Sequence, residues 1–236
     1  MHRRHFLGLA AATCAAAHAD TAFAQFATSP AAPLDKASRD ALTPAQVLAE
    51  LKQGNERFRA GKRLQRDYAA QQRGTAAGQY PAAAILGCID SRAPAELVFD
   101  VGIGDLFTAR IAGNVVNDDL LGSLEFACAV SGAKAVLVLG HTACGAIKGA
   151  IDDVEMGNLT GLLARIKPAI SATTFAGDRS SKSAAFVDAV ARTNVSTVID
   201  HIRRRSPILA DLETKGAIRI AGAMYDVSSG AVEMLG

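Results

Sequence analysis

Short apolar runs alternate with amphipathic stretches along most of this chain, and that alternation predicts an α/β fold. Three runs have the length and composition of buried strands: 82–88 (AAAILGC), 106–113 (LFTARIAG) and 134–141 (KAVLVLGH). Between the second and third, LLGSLEFACAV carries apolar residues that fill a helix. Asp118 or Asp119 is placed to cap its start and Ser131-Gly132 to end it. Strand, helix, strand at this spacing is a βαβ unit and implies a parallel sheet. Upstream, Thr43 is a good N-cap, Pro44 suits the first helical position, and Val47, Leu48, Leu51 and Phe58 fall mostly on one face. Helical patterns also cover 158–169, 181–204 and 206–215. The run 217–227 (AIRIAGAMYDV) then returns as a strand, which Ser228-Ser229-Gly230 turns into AVEML as a hairpin. The expected architecture is a central, mostly parallel β-sheet flanked by helices, with an N-terminal helical arm and a C-terminal strand or hairpin. Residues 25–42 mix Ser, Ala and Pro without a period and read as a linker or arm. The folded domain is expected at 43–236.

Composition narrows the class. With 236 residues, half of them hydrophobic, and 21 glycines, the chain suits one large domain with ample core. Its formal charge of +2 is too small to point to a nucleic-acid partner. Arg203-Arg204-Arg205 reads as a solvated helix end. The first 25 residues stand apart: paired arginines, an apolar Leu/Ala stretch, then Ala22-Phe23-Ala24 before Gln25. This is the layout of a cleavable signal peptide over 1–24. Arg3-Arg4-His5-Phe6-Leu7 resembles the twin-arginine export signal, which carries folded proteins. The apolar stretch is too short for a stable membrane anchor. A periplasmic protein, free of the membrane once the leader is removed, is the expectation.

Removing the leader leaves two of the five histidines, His141 and His201, and three of the four cysteines, Cys88, Cys128 and Cys144. An odd cysteine count in an oxidising compartment is a poor disulfide framework. Open parallel sheets bind ligands at the carboxyl ends of their strands. Cys88 ends the first apolar run, His141 ends the third, and Cys144 starts the helix beyond it. Two thiolates and one imidazole with a fourth position open form a catalytic zinc arrangement. Cys128 sits inside a helix among apolar neighbours and reads as packing. His201 reads as a surface helix residue.

The stretches CIDSRAPAE from Cys88 and HTACGAI from His141 resemble the two signature motifs of the β-carbonic anhydrases, C-x-D-x-R and H-x-x-C-G. GDLFTARIAGNVV, SLEFA and YDVSSG are also similar to that family, so the resemblance runs from about residue 43 to the C-terminus. It implies that Cys88, His141 and Cys144 ligate one zinc ion per subunit, and that Asp90 and Arg92 form the family's dyad. The pair has an independent rationale. A carboxylate beside a metal competes to become its fourth ligand, and an arginine gripping both oxygens keeps it off. The resemblance further implies substrate-binding roles for Gln79 and Gly145, carbon dioxide and bicarbonate as substrate and product, and a homodimer or dimer of dimers. Arg110 and Tyr225 fall where some relatives build a regulatory bicarbonate site with a tryptophan. Here the tryptophan position holds Ile85, so no bicarbonate-switched state is expected. Ile89 stands where many relatives have serine.

The same fold and ligands would also serve hydrolysis of a carbon dioxide analogue such as COS or CS₂. A zinc-binding protein without turnover and a thiol redox protein using Cys88 and Cys144 are further alternatives. The Asp90–Arg92 pair argues against a closed structural site, which takes four protein ligands and has no use for a dyad.

Overall fold

The computed structural model describes residues 32–235; the leader expected at 1–24 and the start of the 25–42 segment lie outside them. The remainder of that segment is not all extended. Asp35 accepts from the Ser38 N–H and caps a short helix, α1 (Lys36–Ala41). Helix α2 (Pro44–Arg59) begins as the sequence demands, with a reciprocal cap between Thr43 and Gln46 at 2.8 and 3.2 Å. Helix α3 (Tyr68–Thr75) precedes β1 (Ala83–Gly87), α4 (Ala95–Val98) and β2 (Leu106–Arg110). Then come α5 (Asp118–Glu125), β3 (Ala135–His141), α6 (Gly145–Ile151), α7 (Gly157–Ala164) and α8 (Lys167–Ala172). The long α9 (Ala184–Arg205), α10 (Pro207–Thr214), β4 (Arg219–Tyr225) and β5 (Val232–Leu235) complete the order.

The five strands form one sheet in the order β2-β1-β3-β4-β5. The first four are parallel, and β5 runs back antiparallel on β4, with Tyr225 opposite Val232. The expected architecture is therefore the observed one. The order has a consequence for function. After β1 the chain crosses to β2 on one side, and after β3 it crosses to β4 on the other. The connections diverge between β1 and β3, and a crevice opens at their carboxyl ends.

Successive strand residues face opposite ways, which builds two cores. Ile85, Leu137 and Leu139 pack with Val47 and Leu51 of α2 and with Phe99. Leu86, Val136 and Val138 pack with Leu124 of α5 and with Val190 and Val195 of α9. Each of these large side chains contributes about 1.5–3 kcal/mol by leaving water. Helix α9 lies close on the sheet because glycines face it. A Cβ on Gly140 would come within 2.7 Å of the Val195 side chain, as would one on Gly222. At the far end of β4, Asn55 of α2 donates to the carbonyls of Gly230 and Val98 and accepts from the Val232 N–H.

Several local expectations are corrected. The run 106–113 is strand only to Arg110, and residues 112–114 form a single 3₁₀ turn in which Gly113 has φ 67°. Helix α5 is capped by Asn117, which accepts from the Leu120 N–H, not by Asp118 or Asp119; its continuation, Phe126–Val130, widens to a π turn. The helix expected at 158–169 is two, because Pro168 cannot continue a helix and instead starts α8. His201 is half-buried rather than a surface residue. Arg203 and Arg205 are exposed but paired, with Glu213 at 2.8 Å and Asp118 at 3.2 Å. Among the described residues, no helix is long and apolar enough to cross a membrane.

Candidate metal centre

The crevice between β1 and β3 holds the chemistry. Cys88 is the residue after β1, His141 the last of β3, and Cys144 the N-cap of α6. Their donor atoms all lie within 4.8 Å of one another, and all three residues are buried. Hydrogen bonding sorts the imidazole nitrogens. His141 Nδ1 is 2.9 Å from the Thr142 carbonyl and donates to it, which leaves Nε2 as the free lone pair. That atom is buried and, among the described residues, without a hydrogen-bond partner. A buried lone pair facing two sulfurs is a metal ligand's arrangement, since burial unsatisfied would otherwise be costly.

The sulfurs share their protons unequally. Cys144 hydrogen-bonds to the Cys88 sulfur and holds the Cys88 thiol down at about 4. Burial opposes this, while His141 and the Gly113 N–H, 3.3 Å from the sulfur, add to it. The same bond, with burial, pushes Cys144 upward. Burial disfavours charge on His141, but the Cys88 sulfur, the Thr142 carbonyl and the Asp90 carboxylate together outweigh it and leave its pKa raised. A divalent cation would take the place of these shared protons. Two soft sulfurs and an imidazole fit zinc as a catalytic ligand set.

Beside the cluster, Arg92 donates from Nε to Asp90 Oδ1 at 2.9 Å and from Nη2 to Oδ2 at 2.8 Å; its own N–H also reaches Oδ1. This two-pronged grip holds Asp90 far below the usual carboxylate range, against the opposing effect of burial. Asp90 Oδ2 lies 3.9 Å from His141 Nε2.

The structure thus brings Cys88, Asp90, Arg92, His141 and Cys144 together. Gly145 follows as the first residue of α6, and a Cβ there would meet nothing within 4 Å, so the approach is open. Gln79 is not brought to this site. It lies before β1, in a shallow cavity with Thr75, Ile103 and Gly104, at the opposite end of the strand from Cys88. Ile89 is exposed, and Ile85 and Tyr225 are buried. Cys128 is buried apart from the cluster, and burial pushes its thiol up to about 12.

Three supporting residues had escaped the sequence reading in these roles. Arg110 donates from Nε to the Cys88 carbonyl at 2.9 Å and from Nη2 to the Asp90 carbonyl at 2.5 Å, bracing the loop from outside. Its signal was positional: it ends the strand next to β1, opposite Gly87. Asn194 of α9 donates to the Gly113 carbonyl at 2.9 Å, and Asp188 of α9 accepts from the Ala143 N–H at 3.0 Å. Neither is near the cluster in sequence.

Residues 83–232 match the family model described as carbonic anhydrase. Carbonic anhydrase 2 of Mycobacterium tuberculosis is 35% identical over 189 residues, 79% of this chain and 90% of that protein. A carbonic anhydrase of Mycolicibacterium smegmatis is 33% identical over 193 residues, 81% of this chain and 93% of its own length. Among solved structures, a tetrameric β-carbonic anhydrase of Sordaria macrospora superposes with a TM-score of 0.60 at 26% identity, covering 68% of this chain and 83% of that one. With its sheet, its ligand-bearing strand ends and these relatives in agreement, the chain belongs to the β-class carbonic anhydrase family.

Proposed function

We propose that the chain catalyses the reversible hydration of carbon dioxide to bicarbonate and a proton, with one zinc ion held by Cys88, His141 and Cys144. One observation carries this reading: three buried soft donors converge beside a carboxylate whose two oxygens are both gripped by an arginine. Such a set leaves a fourth ligand position for water. When bound, zinc would lower the pKa of that water and so supply a nucleophile near neutral pH.

The chain's own residues do the rest. Arg92 prevents Asp90 from swinging in as a further ligand. Asp90 stays ionised and accepts a hydrogen bond from the attacking water, which orients its remaining lone pair toward carbon dioxide. The Thr142 carbonyl fixes the tautomer that presents His141 Nε2 inward. Gly145 keeps the approach free of side chain. Carbon dioxide is favoured over COS or CS₂ because the relatives matched over most of the chain are carbonic anhydrases.

Gln79 reaches a metal site only from a second copy, because β1 puts roughly 16 Å of strand between it and Cys88. That supports a homodimer or dimer of dimers, as do the exposed apolar side chains Ile89, Phe126 and Val130. Export to the periplasm through the twin-arginine route is the reading of the leader. Replacing Arg3 and Arg4 with Lys should abolish it, and undiminished export would refute it.

The test of function is stopped-flow hydration of carbon dioxide, with COS and CS₂ turnover alongside and zinc content measured on each preparation. Zinc near one per chain with carbon dioxide turnover supports the reading. Zinc-loaded protein that turns over only COS or CS₂, or nothing, overturns it.

A further inference from the structure

We propose that Asp188 of α9 is a positioning residue that holds the turn between His141 and Cys144 in its metal-binding shape. The inference rests on the reading of Cys88, His141 and Cys144 as metal ligands. It starts from Ala143, whose φ of 55° lies in the left-handed region that a residue with a Cβ rarely adopts. The residue before it is anchored from β4. Thr142 donates its N–H to the Tyr225 carbonyl at 2.9 Å, and its hydroxyl accepts from the Val227 N–H at 3.1 Å. The residue after it, Cys144, occupies the N-cap of α6, where its side chain makes no capping bond.

Ala143 is therefore the joint at which the chain reverses to send Cys144 back toward Cys88. Among the described residues, the single side-chain bond to that joint comes from Asp188, whose Oδ1 accepts the Ala143 N–H. Helix α9 is well placed to supply it, because Gly140 lets the helix settle directly on β3. Without that acceptor, Ala143 is free to relax toward an ordinary backbone conformation, and the Cys144 sulfur leaves the cluster. Asp188 touches none of the three donors and acts through the backbone alone.

The experiment measures zinc affinity of the full chain by competition with a chromophoric chelator, with thermal melting of the metal-free protein alongside. Asp188→Ala should weaken zinc binding by about ten- to hundredfold, as for other groups that orient a ligand. Asp188→Asn keeps an acceptor oxygen and should stay within about threefold of wild type. Adding Ala143→Gly to Asp188→Ala should recover most of the lost affinity, because glycine adopts the left-handed conformation freely. Ala143→Val, with Asp188 intact, should weaken binding on its own. Undiminished affinity in Asp188→Ala would overturn the proposal. So would a loss that Ala143→Gly leaves unchanged, which would mark general destabilisation. A wild-type chain that takes up no zinc would instead overturn the metal reading, and this inference with it.

Discussion

The two segments that deliver the metal ligands are built in opposite ways. The one after β1, Cys88 to Arg92, is braced by exposed arginines: Arg110 grips its backbone and Arg92 its carboxylate. The one after β3, His141 to Cys144, is held largely by main-chain groups at the end of β4 and just beyond it, and by Asp188. The first carries one ligand and the dyad. The second carries two ligands and no other chemistry. A group that must meet water and substrate is held by long, solvated side chains, whereas groups that must only hold an ion are tied into the sheet.

This contrast can be broken or sharpened by mutation. The largest effect is expected from removing a ligand in either segment. Cys88→Ser or His141→Ala should lose zinc, measured by elemental analysis, and lower hydration by several orders of magnitude toward background. Next, Asp90→Asn should keep zinc yet lose about 10²- to 10⁴-fold in rate, the range for a positioned proton acceptor. Equal zinc and undiminished rate would remove Asp90 from the mechanism. Third, Arg110→Ala releases two carbonyls of the first segment, and zinc affinity should fall by about tenfold in the chelator competition.

The fourth effect concerns pH. Arg92 depresses the folded pKa of Asp90 below its ordinary 3.8. The pair's stabilisation is thus fully present above that value and lost only as pH falls below it. The melting-temperature gap between wild type and Asp90→Asn should stay constant from pH 8 to 5 and narrow below pH 4. A gap that closes by pH 6 would contradict it. The smallest effect belongs to Ala143→Gly alone. Relief of the left-handed alanine, less the entropy that glycine adds, should raise stability by roughly 0.5 kcal/mol in denaturant titration.

How much of this was legible in the sequence depends on the range of the interaction. The strand runs AAILG and AVLVLGH were plain because strands covered on both faces need continuous apolar side chains. The ligands were legible because each ends or follows a strand, and Arg92 because it lies two residues from its carboxylate. The Asn117 cap was missed by one residue, a choice that backbone dihedrals make and composition does not. The break at Pro168 was visible but outweighed by an apolar period that continues across it. Asp188 lies 45 residues from the N–H it accepts, and nothing local marks it. Gln79 was named from the resemblance alone, and local spacing does not reveal that an extended strand sets it at the opposite end of the sheet from Cys88 of the same chain.

The adjacency of β1 and β3 has one more consequence. Their backbones are paired from Ala83 and Ala135 to Gly87 and Leu139, so the gap between Cys88 and His141 is inherited from a ladder of fixed pitch. Surface loops can fray on warming without altering that pitch. Cys88 and His141 should therefore keep their spacing until the ladder itself comes apart, so that on warming the turn bearing Cys144 is the part of the site that loosens first.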